Sequence, residues 1–252
     1  MIRSMSDVNI KQGLKTVLQQ IEASCSKRSA EFSDLKPRLV AVSKVKPVEL
    51  IIEAYEEGQR HFGENYVQEL QEKSMHRLIL EKCPDIKWHF IGHLQANKIN
   101  KVLSVPNLYI IETVHSRKLA SQLNKNWPNF GPSDSKLKIM VQVNTSGEKE
   151  KSGISVSEVT EITDYVLKEC HNLRFEGLMT IGEYGYDYSK GPNPDFLCLI
   201  KCRDEVCKKL SLDWKKVELS MGMSNDFDRA IEMGSTNVRV GQMIFGERQY
   251  KN

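Results

Sequence analysis

The chain has 252 residues, 40% of them hydrophobic, and a formal net charge of +3 from 36 basic and 33 acidic side chains. The charges are interspersed without a long single-sign block, which excludes a nucleic-acid-binding arm or an anionic-membrane anchor. No apolar run is long enough to cross a bilayer, and no secretory signal opens the sequence. The length suits one α/β domain over residues 1–252, large enough to bury a core without staples. The six cysteines (Cys25, Cys83, Cys170, Cys198, Cys202 and Cys207) include no Cys-x-x-Cys pair, so reduced thiols are expected. The expected compartment is the cytoplasm, with a mitochondrial pool left open.

An amphipathic helix is predicted over about 6–23 from the spacing of Val8, Leu14, Val17, Leu18 and Ile21. The first strand, 39–43, runs straight into Lys44 before any turn signal. Pro47 then fits the first position of a helix with Val48, Ile51, Ile52 and Tyr55 on its apolar face, and Gly58 stops it. The alternation continues with strand 60–63, helix 67–82, strand 86–92, helix 96–103 and strand 108–113. A helix capped by Ser116 follows, then strand 137–143, a helix bearing Val159, Ile162 and Val166, and strand 175–181. Asn193-Pro194 opens the next helix. Strand 217–221, helix 226–233 and a last strand, 237–245, complete the chain. Eight strands, each followed by a helix except the last, predict a parallel sheet closed into a single (β/α)8 barrel of the TIM type with an extra N-terminal helix. An open doubly wound sheet is the alternative.

In such a barrel the carboxyl ends of the strands carry the chemistry. Lys44 stands at one of them, either as a site residue or as a solvated loop lysine. Arg239 interrupts an apolar strand and shares a face with Asn237 and Gly241. A ligand or an ion-pair partner must answer it, because an unpaired buried ion is costly. Strand eight closes against strand one, which makes Arg239 and Gly241 neighbours of the Lys44 strand. A cationic neighbour and partial burial would favour the neutral amine that a Schiff base needs. Gly222 and Ser224 precede a helix start that would suit an anion, or Ser224 or Asn225 is an ordinary cap there. Asn65, after strand two, could hold a ligand hydroxyl or form a turn, and the loop 144–148 reads equally as phosphate-friendly or merely polar. His89 and His93 would lie about 13 Å apart along a strand, too far to share one metal ion.

Six blocks carry a family likeness: Ala41-Val42-Ser43-Lys44-Val45-Lys46-Pro47, His61-Phe62-Gly63-Glu64-Asn65-Tyr66-Val67-Gln68-Glu69, Trp88-His89-Phe90-Ile91-Gly92-His93-Leu94-Gln95, Gly177-Leu178-Met179-Thr180-Ile181-Gly182, Leu219-Ser220-Met221-Gly222-Met223-Ser224 and Arg239-Val240-Gly241. Together they resemble the pyridoxal phosphate homeostasis protein family, also called the proline synthetase co-transcribed family, over about residues 39–250. The resemblance implies a fold-type III pyridoxal phosphate barrel, like the N-terminal domain of alanine racemase. It implies pyridoxal 5'-phosphate held as an aldimine on Lys44, with its phosphate around Met223, Ser224 and the Gly241–Gln242 backbone. Arg239 would face the pyridine nitrogen and Asn65 would line the pocket. The family usually has serine or threonine where Gln242 stands, so a hydroxyl contact to phosphate is lost while the backbone N–H remains.

The chain ends seven residues after Phe245, which implies that the β-rich C-terminal domain of alanine racemase is absent, together with its tyrosine acid/base. The implied function is a non-catalytic, monomeric carrier in vitamin B6 homeostasis. It would buffer the cofactor and supply it to apo-enzymes in transient contacts, without nucleic-acid or membrane partners. Two rivals stand beside it. One is a racemase-like enzyme using Lys44 as base and a tyrosine of the Tyr184-Tyr186-Tyr188 loop as acid. The other is a sugar-phosphate barrel with Lys44 as an aldolase-type Schiff base.

Overall fold

The computed structural model describes residues 8–148, 151–183 and 185–247. Eight parallel strands close into a barrel in chain order: β1 (Arg38–Val42), β2 (His61–Glu64), β3 (Lys87–Phe90), β4 (Leu108–Val114), β5 (Leu137–Gln142), β6 (Leu173–Met179), β7 (Glu218–Met223) and β8 (Asn237–Val240). The seam is the expected one: β8 pairs with β1 in parallel, with Arg239 opposite Val40 and Val240 opposite Ala41. Strands covered on both faces need continuous burial, and all four residues of β8 are buried.

The helices are α1 (Ile10–Cys25), α2 (Val48–Glu56), α3 (Val67–Ser74), α4 (Arg77–Lys82), α5 (Ile99–Leu103), α6 (Arg117–Asn126), α7 (Val159–Glu169), α8 (Pro194–Leu210), α9 (Phe227–Glu232) and α10 (Gln242–Phe245). Asn9 caps α1 by accepting from the Gln12 N–H, Ser116 caps α6 through Leu119, and Asn193 caps α8 ahead of Pro194. Residues 6 and 7 of the predicted first helix lie outside the described residues, and α1 runs two residues further than predicted.

Three predicted elements differ. The helix expected over 67–82 is two, because the chain breaks at Met75 and His76 caps α4 through the Leu78 N–H. Pro47 is the N-cap of α2 rather than its first helical residue. The strand expected over 237–245 ends at Val240, and Gln242–Phe245 form one helical turn. A short apolar run has no period that separates strand from helix. Ile244 and Phe245 are buried where α1 packs on α10. Gly13 permits that contact, since a Cβ there would come within 2.7 Å of the Met243 carbonyl oxygen.

The large apolar cluster joins the strands to the helices. A second, small one holds Ile110, Met140 and Met179 with Tyr109 packed against it. Polar groups occupy a further layer: His89, Glu112, Ser220, Asn237 and Arg239 are all buried. Among the described residues all six cysteines are free thiols, and no helix is long and apolar enough to cross a membrane.

Candidate functional site

The carboxyl ends of β1, β2, β7 and β8 bring the predicted residues into one region. Lys44 follows β1 after one residue, Ser43, and is half-buried. Asn65 follows β2. Its backbone is pressed against Gly92, where a Cβ would lie 1.8 Å from the Asn65 carbonyl oxygen. The Asn65 Oδ1 is buried and has no hydrogen-bond partner among the described residues. Such an acceptor is expensive to leave unmet, and a ligand donor would meet it.

The β7–α9 connection shows why Gly222 is glycine. Its φ is +96°, and a Cβ would stand 2.6 Å from the Ala230 Cβ and 2.9 Å from the Phe227 Cα. The predicted cap of α9 is corrected here: neither Ser224 nor Asn225 caps the helix. Asp226 is the N-cap residue, and its Oδ1 accepts from the Met223 N–H at 2.6 Å. The Ser224 hydroxyl instead accepts from the Gly241 N–H at 3.3 Å, tying the end of β7 to the end of β8. Gly241 has its own steric reason, because a Cβ would be 3.0 Å from the Val42 carbonyl oxygen of β1. Gln242 opens α10, and the first amides of a helix have no intrahelical acceptor. Met223, Ser224, Gly241 and the Gln242 N–H therefore sit together.

Arg239 is buried inside the barrel. Its guanidinium donates to the Ser220 Oγ at 2.6 Å and to the Thr180 carbonyl oxygen at 2.8 Å. Ser220 donates in turn to Glu112 Oε2 at 2.6 Å. Glu112 Oε1 also accepts from His89 Nδ1 at 2.5 Å and from Asn237 Nδ2 at 3.1 Å. With Nδ1 donating to the carboxylate, a neutral His89 presents Nε2 as acceptor to His61 Nδ1, 2.8 Å away. The chain of bonds fixes each group. Burial opposes the Glu112 charge, but His89, the Arg239 charge and Ser220 outweigh it and hold the carboxyl at about 2. Burial keeps both imidazoles neutral, His61 down to about 2. The ion-pair reading of Arg239 finds its counter-charge in Glu112, reached through Ser220.

The histidines separate as the strand geometry requires. His89 is in the barrel interior, while His93 lies at the rim, stacked on His115 with ring centroids 4.5 Å apart. Among the described residues no group of three or more His, Cys, Asp or Glu could hold a metal ion. In the loop 144–148 the Asn144 side chain accepts from the Gly147 N–H and Thr145 bonds Thr180, the bonding of an ordinary polar loop.

Sequence reasoning passed over Glu112, Glu64 and Lys73. The signal for Glu112 was present: a charge inside Tyr-Ile-Ile-Glu-Thr-Val, like Arg239 in its strand. Glu64 and Lys73 form a buried ion pair at 2.8 Å behind the Lys44 turn. Burial pushes the Glu64 carboxyl up to about 7 against the pull of Lys73. A raised folded-state pKa contributes stability below the ordinary carboxylate pKa, and that stability is lost as pH rises to about 7. Glu64→Gln is therefore expected to flatten the stability–pH curve between about 4.5 and 7, removing a change on the order of 3 kcal/mol, in urea melts at stepped pH.

A family model described as alanine racemase, N-terminal domain, matches residues 17–249. The pyridoxal phosphate homeostasis protein of Homo sapiens is 53% identical over 248 residues, covering 98% of this chain and 90% of the human one. The protein of that name from Caenorhabditis elegans is 47% identical over 238 residues, covering 94% and 97%. Among solved structures, PipY of Synechococcus elongatus with PLP bound superposes with a TM-score of 0.76 at 30% identity, covering 94% of this chain and all of that one (100%). Alanine racemase from Corynebacterium glutamicum gives a TM-score of 0.65 at 11% identity over 91% of this chain and 62% of that one, a likeness of fold.

Proposed function

This chain belongs to the pyridoxal phosphate homeostasis protein family, and we propose that it binds pyridoxal 5'-phosphate through Lys44 and serves vitamin B6 homeostasis as a carrier. The observation that carries the reading is the buried Arg239, held by Ser220 and Thr180 on the strand that pairs with the strand of Lys44. The donor set fits the group. Ser224 and the amide of Gln242 suit a phosphate. The unmet Asn65 Oδ1 suits a hydroxyl donor, and Lys44 is the amine. When bound, the cofactor supplies an aldehyde that condenses with a primary amine and releases water. Gln242 leaves the phosphate to Ser224 and backbone amides, which suits a carrier that must release its cargo to apo-enzymes.

Two features favour carriage over catalysis. Arg239 does not give up its proton, so it disfavours a second positive charge on a ring nitrogen beside it. The electron withdrawal that amino-acid chemistry needs is then weak. Among the described tyrosines of the Tyr184-Tyr186-Tyr188 loop, neither is suited to be the acid of a racemase. Tyr184 lies outside the described residues, and the Tyr186 hydroxyl reaches the Pro192 carbonyl at 3.4 Å. Burial pushes Tyr188 up to about 12, far from the range useful for proton exchange near neutrality.

The test is absorbance on adding pyridoxal 5'-phosphate, then borohydride reduction and peptide mapping. A visible band trapped on the Lys44 peptide is expected, lost in Lys44→Ala, with no catalytic exchange of amino-acid α-protons. Label scattered over surface lysines would overturn the cofactor reading and favour the sugar-phosphate barrel. Rapid α-proton exchange would restore the racemase.

A further inference from the structure

Resting on the reading that Lys44 holds the cofactor, we infer that Lys73, with Glu69 and Glu64, is a positioning set that clamps the Lys44 turn in a left-handed backbone conformation. The turn closes with the Lys46 N–H on the Ser43 carbonyl at 3.0 Å, so Lys44 and Val45 are its central residues. Val45 has a φ of +55°. The third position of a turn with positive φ normally takes glycine or asparagine, and a β-branched residue is strained there. Side-chain packing does not repay the strain, because Val45 is 48% exposed.

What holds the turn comes from α3 and from the end of β2. The Val45 N–H donates to Glu69 Oε1 at 2.6 Å. The Lys73 ammonium donates to the Ser43 carbonyl at 2.7 Å, and it pairs with Glu69 at 2.6 Å and Glu64 at 2.8 Å. Ser43 Oγ donates to the same Glu64 oxygen at 2.6 Å. Lys73 is 6% exposed and Glu64 is fully buried. One buried cation thus orients two carboxylates and a carbonyl on both sides of Lys44. Glu69 and Lys73 lie four residues apart on α3, so the helix acts as the rigid back of the clamp. The strained turn is what sets the direction in which Lys44 leaves β1. Without the clamp, Val45 relaxes to a negative φ and Lys44 leaves the turn in another direction.

The experiment compares Lys73→Met, Val45→Gly and the double variant with the unchanged protein. Two quantities are read: the half-saturating pyridoxal 5'-phosphate concentration for the Lys44 absorbance band, and Tm without cofactor. Lys73→Met is expected to raise half-saturation about tenfold. In the Val45→Gly background the same change should cost under threefold, because glycine adopts this φ without strain. The Tm loss should shrink in parallel, and Lys73→Arg should restore part of both. Equal losses of Tm in both backgrounds, with half-saturation unmoved, would mean that Lys73 only docks α3, and would overturn the clamp. If Lys73→Met does not fold, Glu69→Ala removes the acceptor of the Val45 N–H and is read against Val45→Gly in the same way. Absence of any Lys44 band in the unchanged protein would sink the functional reading. The Tm coupling between positions 73 and 45 would then still decide whether the clamp exists.

Discussion

Glu112→Ala is expected to lower folding stability by about 3–5 kcal/mol, the usual cost of removing one partner from a buried charged network. For a chain of this length that is a fall of roughly 10 °C in Tm. The carboxylate accepts from His89, Asn237 and Ser220, and all four residues are buried. Alanine would orphan three donors and leave the Arg239 guanidinium in the barrel without its counter-charge. Glu112→Gln keeps the shape and should cost about half as much, since its NH2 group meets a donor where an oxygen is wanted. The decisive comparison is the double variant Glu112→Ala with Arg239→Met. Deleting both charges should recover 1 kcal/mol or more (about the size of coupling between networked groups) relative to the sum of the single losses in urea unfolding. Strict additivity would mean that Glu112 does not answer Arg239. The pH dependence gives a second check. With its carboxyl held at about 2 by His89, Glu112 contributes stability above the ordinary carboxylate pKa, and that stability is lost as pH falls toward about 2.

The barrel was legible because its signals are local and repeated. Apolar strands broken by caps and glycines recur eight times, and closure follows from the count. Arg239 was legible as a charge in the wrong place, and the β8–β1 seam then made it a neighbour of Lys44. Glu112 carried the same signal and needed only the same question. Lys73 could not be found that way. On α3 it looks like one more exposed lysine four residues from a glutamate, and only the packing of α3 behind β1 and β2 buries it. The glycines divide similarly. A positive φ at Gly222 suits its place before a helix, whereas the tight contacts of Gly241 on Val42 and Gly92 on Asn65 join strands whose spacing no sequence period reveals. The last turn, Gln242–Phe245, was misread because its burial comes from α1, more than two hundred residues earlier.

Gly92→Ala is expected to damage both stability and the site, for one steric reason. Its Cβ would lie 1.8 Å from the Asn65 carbonyl oxygen, 2.6 Å from the carbonyl carbon and 2.8 Å from the Cα. All three are backbone atoms, so no rotamer change relieves the overlap. The Gly92 side cannot yield easily either. Thr113 Oγ1 donates to the Gly92 carbonyl at 2.6 Å, and the preceding Ile91 N–H donates to the Glu64 carbonyl at 2.9 Å. The Asn65 backbone must therefore retreat by about 1.5 Å to reach van der Waals contact. Overpacking of this kind costs on the order of 3 kcal/mol. The retreat carries Asn65 Oδ1 with it, so half-saturation by pyridoxal 5'-phosphate should rise about tenfold in the same variant. Gly63→Ala on β2 is the control. Its Cβ would meet only the side-chain tips of Ile91 and Val40, at 3.0 Å, and these can turn aside. It should cost about 1 kcal/mol in urea unfolding and leave cofactor binding nearly unchanged. If the two alanines cost the same, the Asn65–Gly92 contact is not what positions the end of β2. If Gly92→Ala loses stability but keeps its affinity, Asn65 does not touch the cofactor.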